Sequence, residues 1–175
     1  MRAVIVCGSA NPSGTTAAMC RSAERSFLEH GWEAESVFPG GMDIRHCTGC
    51  GGCRDGPCVI GDDMCAVLEA VGSADMVVLA SPIQFSGPSS LTSTVMSRFQ
   101  PYWTRGKKHE GRMAAMLCGG SPAPRFHCAV YMMRAFSVTL GMAWEGHLEV
   151  PGTDEEGFAL PEEKIRRFVE GLVRT

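Results

Sequence analysis

Five short apolar runs alternate with amphipathic stretches along this chain. The runs are Arg2–Cys7 (RAVIVC), 33–38 (EAESVF), 75–80 (DMVVLA), Arg112–Cys118 (RMAAMLC) and Ala143–Val150 (AWEGHLEV). Most are continuous and do not strictly alternate, which predicts strands covered on both faces. Between them lie helical patterns. One spans 16–30, with Ala18, Phe27 and Leu28 as expected core residues, and stops at Gly31. The next starts at Asp62 and Asp63, shows Met64, Val67, Leu68 and Val71 at helical spacing, and ends at Gly72. A third is capped by Ser89 and runs towards Phe99, and a fourth covers 125–140. There the stripe Tyr131, Met132, Arg134, Ala135 and Val138 reads as ordinary helix amphipathicity. The last begins at Pro161 and Glu162 and carries Ile165, Phe168, Val169 and Leu172. Strand and helix in alternation predict an α/β fold: one parallel sheet with helices on both sides. No repeat or linker divides the chain, so 1–175 is expected to be a single domain.

The totals narrow the function. A net charge of −3 over 175 residues lacks the basic excess of a nucleic-acid footprint. The apolar run at the N-terminus is too short for a signal peptide, and no stretch is long enough to span a bilayer. The expected location is therefore the cytoplasm, without nucleic acid or membrane as partner. Thiols stay reduced there, and clustered cysteines read as metal-binding or catalytic.

In such a sheet, ligands bind beyond the carboxyl ends of the strands. The first strand runs into GSANPSGTT and then a helix. Ser9, Ser13, Thr15 and Thr16 supply hydroxyls, Asn11 and Gly14 complete the turn, and the helix N-terminus adds free N–H groups. A phosphate fits this loop, as does the plainer reading of an ordinary strand–helix turn. It is neither a P-loop, lacking the lysine, nor a G-x-G-x-x-G turn. The third strand leads into Pro82, Ile83, Gln84, Phe85 and Ser86, and the fourth into Gly119, Gly120 and Ser121. These loops can present backbone groups and an apolar wall to a flat ring.

The segment 45–61 holds Cys47, Cys50, Cys53 and Cys58, a C-x2-C-x2-C-x4-C spacing rich in glycine. Successive x2 spacings suit a chain wrapped round an iron–sulfur cubane. Glycines allow tight turns and leave N–H groups free for sulfur. Thiols that cycle as a disulfide, thiols with no cofactor, and zinc are the competing readings. Zinc is the poorest, because its sites commonly draw two pairs from separated knuckles. Cys7, Cys20, Cys65, Cys118 and Cys128 lie in predicted strands and helices and read as small core residues. Tyr102 and Trp103 suit a flavin edge or a subunit contact.

The order GSANPSGTT, SPIQFSGPSSLTSTVMSR and GGS resembles the flavodoxin-like NADPH-dependent FMN reductase superfamily, to about Met142. The cysteine motif with the following VIGDDM resembles its iron–sulfur flavoprotein branch. The resemblance implies a flavodoxin-like three-layer sandwich whose five strands run in the order 2-1-3-4-5, with the cysteine loop inserted after the second. It implies FMN, its phosphate in the first loop and its ring between the second and third. It implies a [4Fe–4S] cluster on the four cysteines, and a homo-oligomer, dimer or tetramer, with the cluster loop near a neighbouring subunit's flavin. Two departures stand out. Ala10, Asn11 and Thr15 replace the family's Pro, Arg and Asn, so a charge-assisted phosphate contact is missing and weaker FMN binding is expected. Gln84 replaces a common aromatic residue.

The expected function is an FMN-dependent electron-transfer oxidoreductase in which the cluster relays single electrons. No side chain is assigned a catalytic role, since the cofactors do the chemistry. Expected partners are a one-electron carrier such as ferredoxin or a small-molecule acceptor, with NAD(P)H as a candidate donor. The alternatives are a cluster-free NAD(P)H-dependent FMN or quinone reductase, and a non-enzymatic redox-sensing flavin-binding module.

Overall fold

The computed structural model describes residues 1–174. Among the described residues there are six strands: β1 (Arg2–Cys7), β2 (Glu33–Val37), β3 (Met76–Gln84), β4 (Gly87–Pro88), β5 (Arg112–Cys118) and β6 (Ala143–Val150). They alternate with α1 (Thr15–Glu29), α2 (Met64–Gly72), α3 (Ser90–Ser97), α4 (Gln100–Thr104), α5 (His127–Leu140) and α6 (Glu162–Arg174). The sheet order is β2-β1-β3-β5-β6, all parallel, with the two-residue β4 folded back on β3. Setting β4 aside, this is the expected 2-1-3-4-5 order.

Alternating side chains send each strand into two cores. On one face Ala3, Ile5, Met76, Val78, Ala114 and Met116 pack under α1 and α6. On the other Val4, Val6, Val77, Leu79, Ala115 and Leu117 pack under α2 to α5. Ile5 sits opposite Val78, and Val78 opposite Ala114, so the central register carries one apolar row across three strands.

Some elements depart from expectation. β3 runs four residues beyond Ala80, because Ser81 and Pro82 keep the parallel register with Leu117 and Cys118. Its tip then pairs with β4. The short α4, with Pro101 in its first turn, was not expected; Phe99 just before it stacks edge-on against Phe136 at 5.2 Å. On α1 the buried side is Ala17, Cys20, Ala23 and Phe27, while Leu28 is exposed. On α5 the buried positions are Ala129, Met133, Ser137 and Leu140. Tyr131, Met132 and Val138 instead face outward. That stripe is an exposed apolar surface and not a core face. Likewise Cys7, Cys20 and Cys118 are buried, but Cys65 and Cys128 are exposed thiols.

Phe27 is fully buried and packs its ring 5.5 Å from Trp32. Phe27→Ala should cost about 3–5 kcal/mol of stability, read from the midpoint of denaturant unfolding at unchanged slope.

Candidate functional site

Three loops meet at the carboxyl edge of the sheet. The first, 8–14, is a set of small turns. Asn11 accepts the Ser13 N–H on its side-chain oxygen at 3.0 Å, and Ser9 Oγ accepts the Asn11 N–H at 3.2 Å. Asn11 therefore shapes the loop through an Asx turn. Gly14 precedes α1, whose first N–H groups have no side-chain cap. Arg21, one and a half turns into α1, donates to Pro12 O at 2.8 Å and lies over the Phe38 ring.

The second loop is locked to the first by buried hydroxyls. Ser89 Oγ donates to Gly8 O at 2.5 Å and caps α3 through the Thr92 N–H. Thr92 Oγ1 donates to Ser81 Oγ at 2.8 Å. Gly8 is required here: a Cβ would stand 1.8 Å from Thr92 Oγ1. At the hairpin tip Phe85 and Ser86 both take positive φ, 49° and 65°, as in a two-residue primed turn. For a bulky residue that conformation is strained, and the Phe85 ring is fully exposed. Gln84 is exposed at the end of β3, and its Oε1 accepts the Ser90 N–H at the start of α3 at 2.9 Å.

The third loop joins both others. Thr16 Oγ1 and Cys118 Sγ share a hydrogen bond at 3.2 Å. Burial pushes the Cys118 thiol pKa up. A Cβ on Gly119 would meet Pro124 at 2.7 Å and Ile83 at 3.2 Å, and one on Gly120 would meet the Asp154 carboxylate at 2.1 Å. Asp154 N in turn donates to Gly120 O. Of the fourteen positions expected to bind cofactor, Thr15 and Thr16 open α1, Pro82, Ile83 and Gln84 end β3, and the other nine lie on the three loops.

The cysteine segment forms a second centre. Cys47, Cys50, Cys53 and Cys58 all line one cavity of about 490 Å³, floored by Ser97, Arg98 and α4. All four are free thiols. Gly49 and Gly51 take positive φ, 67° and 74°, to make its turns. Donors reach the sulfurs: Gly49 N to Cys47 Sγ at 3.4 Å, and Arg98 Nη2 to Cys58 Sγ at 3.6 Å. The Gly52 N–H, helped by the Thr48 hydroxyl, lowers the pKa of exposed Cys50. Among the described residues, no three His, Cys, Asp or Glu side chains are disposed to hold one metal ion between them. Trp103 walls this cavity, largely exposed, while Tyr102 is buried in the core.

The segment is held shut at its stem. Asp43 N donates to Asp63 Oδ2 at 2.8 Å, Asp63 N returns to Asp43 O at 2.9 Å, and Arg45 N donates to Asp62 Oδ2 at 2.9 Å. Behind the stem Arg98 and Asp62 form an ion pair, their side chains 2% and 1% exposed. The guanidinium also donates to Arg45 O at 2.6 Å. Arg105 and Thr104 pin the far side through Cys53 O. Arg98 holds the Asp62 carboxyl down to about 2 by hydrogen bonding, outweighing burial, with the Arg45 and Met64 N–H groups adding to it. Sequence patterning missed this pair: Asp62 looked like a helix starter and Arg98 like a helix end. It also missed Arg21 and Asp154, which no motif marks.

Removing one partner leaves a buried charge alone, so Asp62→Asn should cost about 3–5 kcal/mol, measured by chemical unfolding at neutral pH. A depressed carboxyl stabilises the fold above its unfolded pKa and loses that contribution as pH falls through the folded one. The wild type should accordingly lose stability between about pH 4 and pH 2 more steeply than Asp62→Asn, as seen in unfolding midpoints across that window.

A family model described as NADPH-dependent FMN reductase matches residues 1–151. An iron–sulfur flavoprotein of Methanocaldococcus jannaschii is 32% identical over 102 residues, covering 58% of this chain and 53% of that protein. One from Archaeoglobus fulgidus is 35% identical over 106 residues, covering 60% of this chain and 48% of its own length. The chain thus spans about half the length of these curated relatives. Among solved structures, a flavone reductase superposes with a TM-score of 0.75 at 19% identity, over 97% of this chain and 60% of that one. An archaeal flavodoxin gives 0.62 at 12% identity, over 99% and 97%. These two show the flavodoxin-like fold. Among the described residues no helix is long and apolar enough to cross a membrane. With the family pattern running from the first strand through the last, this chain belongs to the NADPH-dependent FMN reductase family of oxidoreductases.

Proposed function

We propose that the chain is an iron–sulfur flavoprotein that moves electrons between FMN at the three-loop edge and a [4Fe–4S] cluster in the cysteine cavity. The observation that carries this is the shared wall: Cys47, Cys50, Cys53 and Cys58 line a single cavity. The donor set fits a cluster, being four thiols with N–H donors aimed at sulfur. FMN and a cubane together supply a two-electron and a one-electron carrier. The names of the curated relatives support the same reading.

Ser9, Ser13, Gly14, Thr15 and Thr16 would hold the FMN phosphate at the α1 N-terminus. Arg21 brings a guanidinium to that loop and offsets the missing family arginine. The 82–86 and 119–121 loops would frame the ring, with strained, exposed Phe85 as a cover. α3 starts at the ring-side loop and ends on the cysteine cavity, a span of eight residues or about 12 Å. An apolar groove between α3, α4 and α5, lined by Met96, Trp103, Tyr131 and Met132, adjoins the cavity and suits a second subunit. A one-electron carrier or a small molecule completes the exchange, and NAD(P)H is the proposed donor.

A cluster-free NAD(P)H:FMN reductase is the second reading, favoured by the sulfurs' lack of a common focus as placed. Anaerobic purification separates the two. Iron and sulfide at cluster stoichiometry, with a cluster EPR signal after reduction, support the first; a yellow iron-free protein overturns it. Cys50→Ser should abolish the EPR signal while FMN absorbance remains. Arg21→Gln should weaken FMN binding by about two- to fivefold, the size of one exposed charge, and the difference should shrink in high salt, as read by flavin fluorescence titration.

A further inference from the structure

Arginine presents five N–H donors and no acceptor. In Arg98 the two Nη1 donors meet Arg45 O and Asp62 Oδ2, and those of Nη2 meet Asp62 Oδ1 at 3.0 Å and Cys58 Sγ at 3.6 Å. The fifth, Nε–H, is buried with no partner. A buried donor without an acceptor costs about 1–3 kcal/mol, and this one belongs to a side chain that lines the cysteine cavity. The cavity wall carries two arginines, Arg54 and Arg98, and no carboxylate. Asp62 lies behind Arg98 and is bound to it and to the Arg45 and Met64 N–H groups. Such a wall suits an anionic, sulfur-rich occupant.

We infer that Arg98 is a positioning residue for the cluster: it fixes the Cys58 arm and, by donating to that sulfur, raises the cluster's reduction potential. This rests on the cluster reading above. The physical basis is that N–H donors and positive charge stabilise the more negative, reduced state of a thiolate-bound cluster. Asp62 opposes this by neutralising the guanidinium. The two residues therefore act on the potential with opposite sign, which a purely structural clamp would not do. Lysine cannot replace the arginine fully, because one ammonium cannot span Asp62, Arg45 O and Cys58 together.

The test is an EPR-monitored redox titration of anaerobically purified holoprotein. Asp62→Asn should shift the cluster midpoint upward. Arg98→Gln in the Asp62→Asn background leaves no lone buried charge and should shift it below wild type. Arg98→Lys should fall between wild type and that double variant. Coincident midpoints, or Asp62→Asn shifting down, overturn the inference. Should the double variant lose its iron, Arg98→Lys decides: an unshifted midpoint overturns the inference and a lowered one supports it. Wild-type protein without iron and sulfide would sink the cluster reading itself, and that outcome is seen before any variant is made.

Discussion

The buried pairing of Arg98 with Asp62 is the constraint on which the cysteine segment depends. One guanidinium at the end of α3 bonds the residues that enter and leave the cysteine segment. The long loop between β2 and α2 is glycine-rich and would otherwise sample many conformations at high entropic cost. Closing its stem with backbone bonds and one desolvated ion pair restricts that freedom. The four thiols are thereby kept on one wall without any regular secondary structure beyond a short 3-10 turn at 52–54.

The three-loop edge is built by a different means. A parallel sheet whose order reverses between β1 and β3 leaves a crevice there for ligands. Side-chain hydroxyls then tie the loops to one another: Ser81, Ser89 and Thr92 bridge the first and second, and Thr16 with Cys118 bridges the first and third. Small residues at Gly8, Gly119 and Gly120 permit these approaches. Rigidity on this edge comes from hydrogen bonding alone, whereas the cysteine segment adds a desolvated ion pair to its hydrogen bonds.

Much of this was legible in the sequence. Continuous apolar runs marked the strands, and the spacing of Cys47, Cys50, Cys53 and Cys58 put them on one short segment. Ser89 was readable as a cap because capping is a local interaction. What patterning lost was long-range or face-specific. Arg98 and Asp62 are thirty-six positions apart, and nothing local links them. Tyr131, Met132 and Val138 fit a helical stripe, but α5 turns Met133 and Leu140 inward instead, because periodicity does not say which apolar stripe meets the sheet. Cys65 and Cys128 sat in helices and were exposed for the same reason. The bond from the Ser90 N–H to Gln84, six positions away across the hairpin, also carried no sequence signal.

The direction of α3 has an electrostatic consequence. Its N-terminal end abuts Gly8 and Ser89, and its C-terminal end meets the sulfur-lined hollow. Aligned peptide dipoles make the first end partly positive and the last partly negative. The backbone alone thus favours negative charge beside Ser89 over Ser97, while Arg98 and Arg54 supply the positive charge at the hollow. Positive potential is therefore set at one end of α3 by peptide dipoles and at the other by arginine side chains.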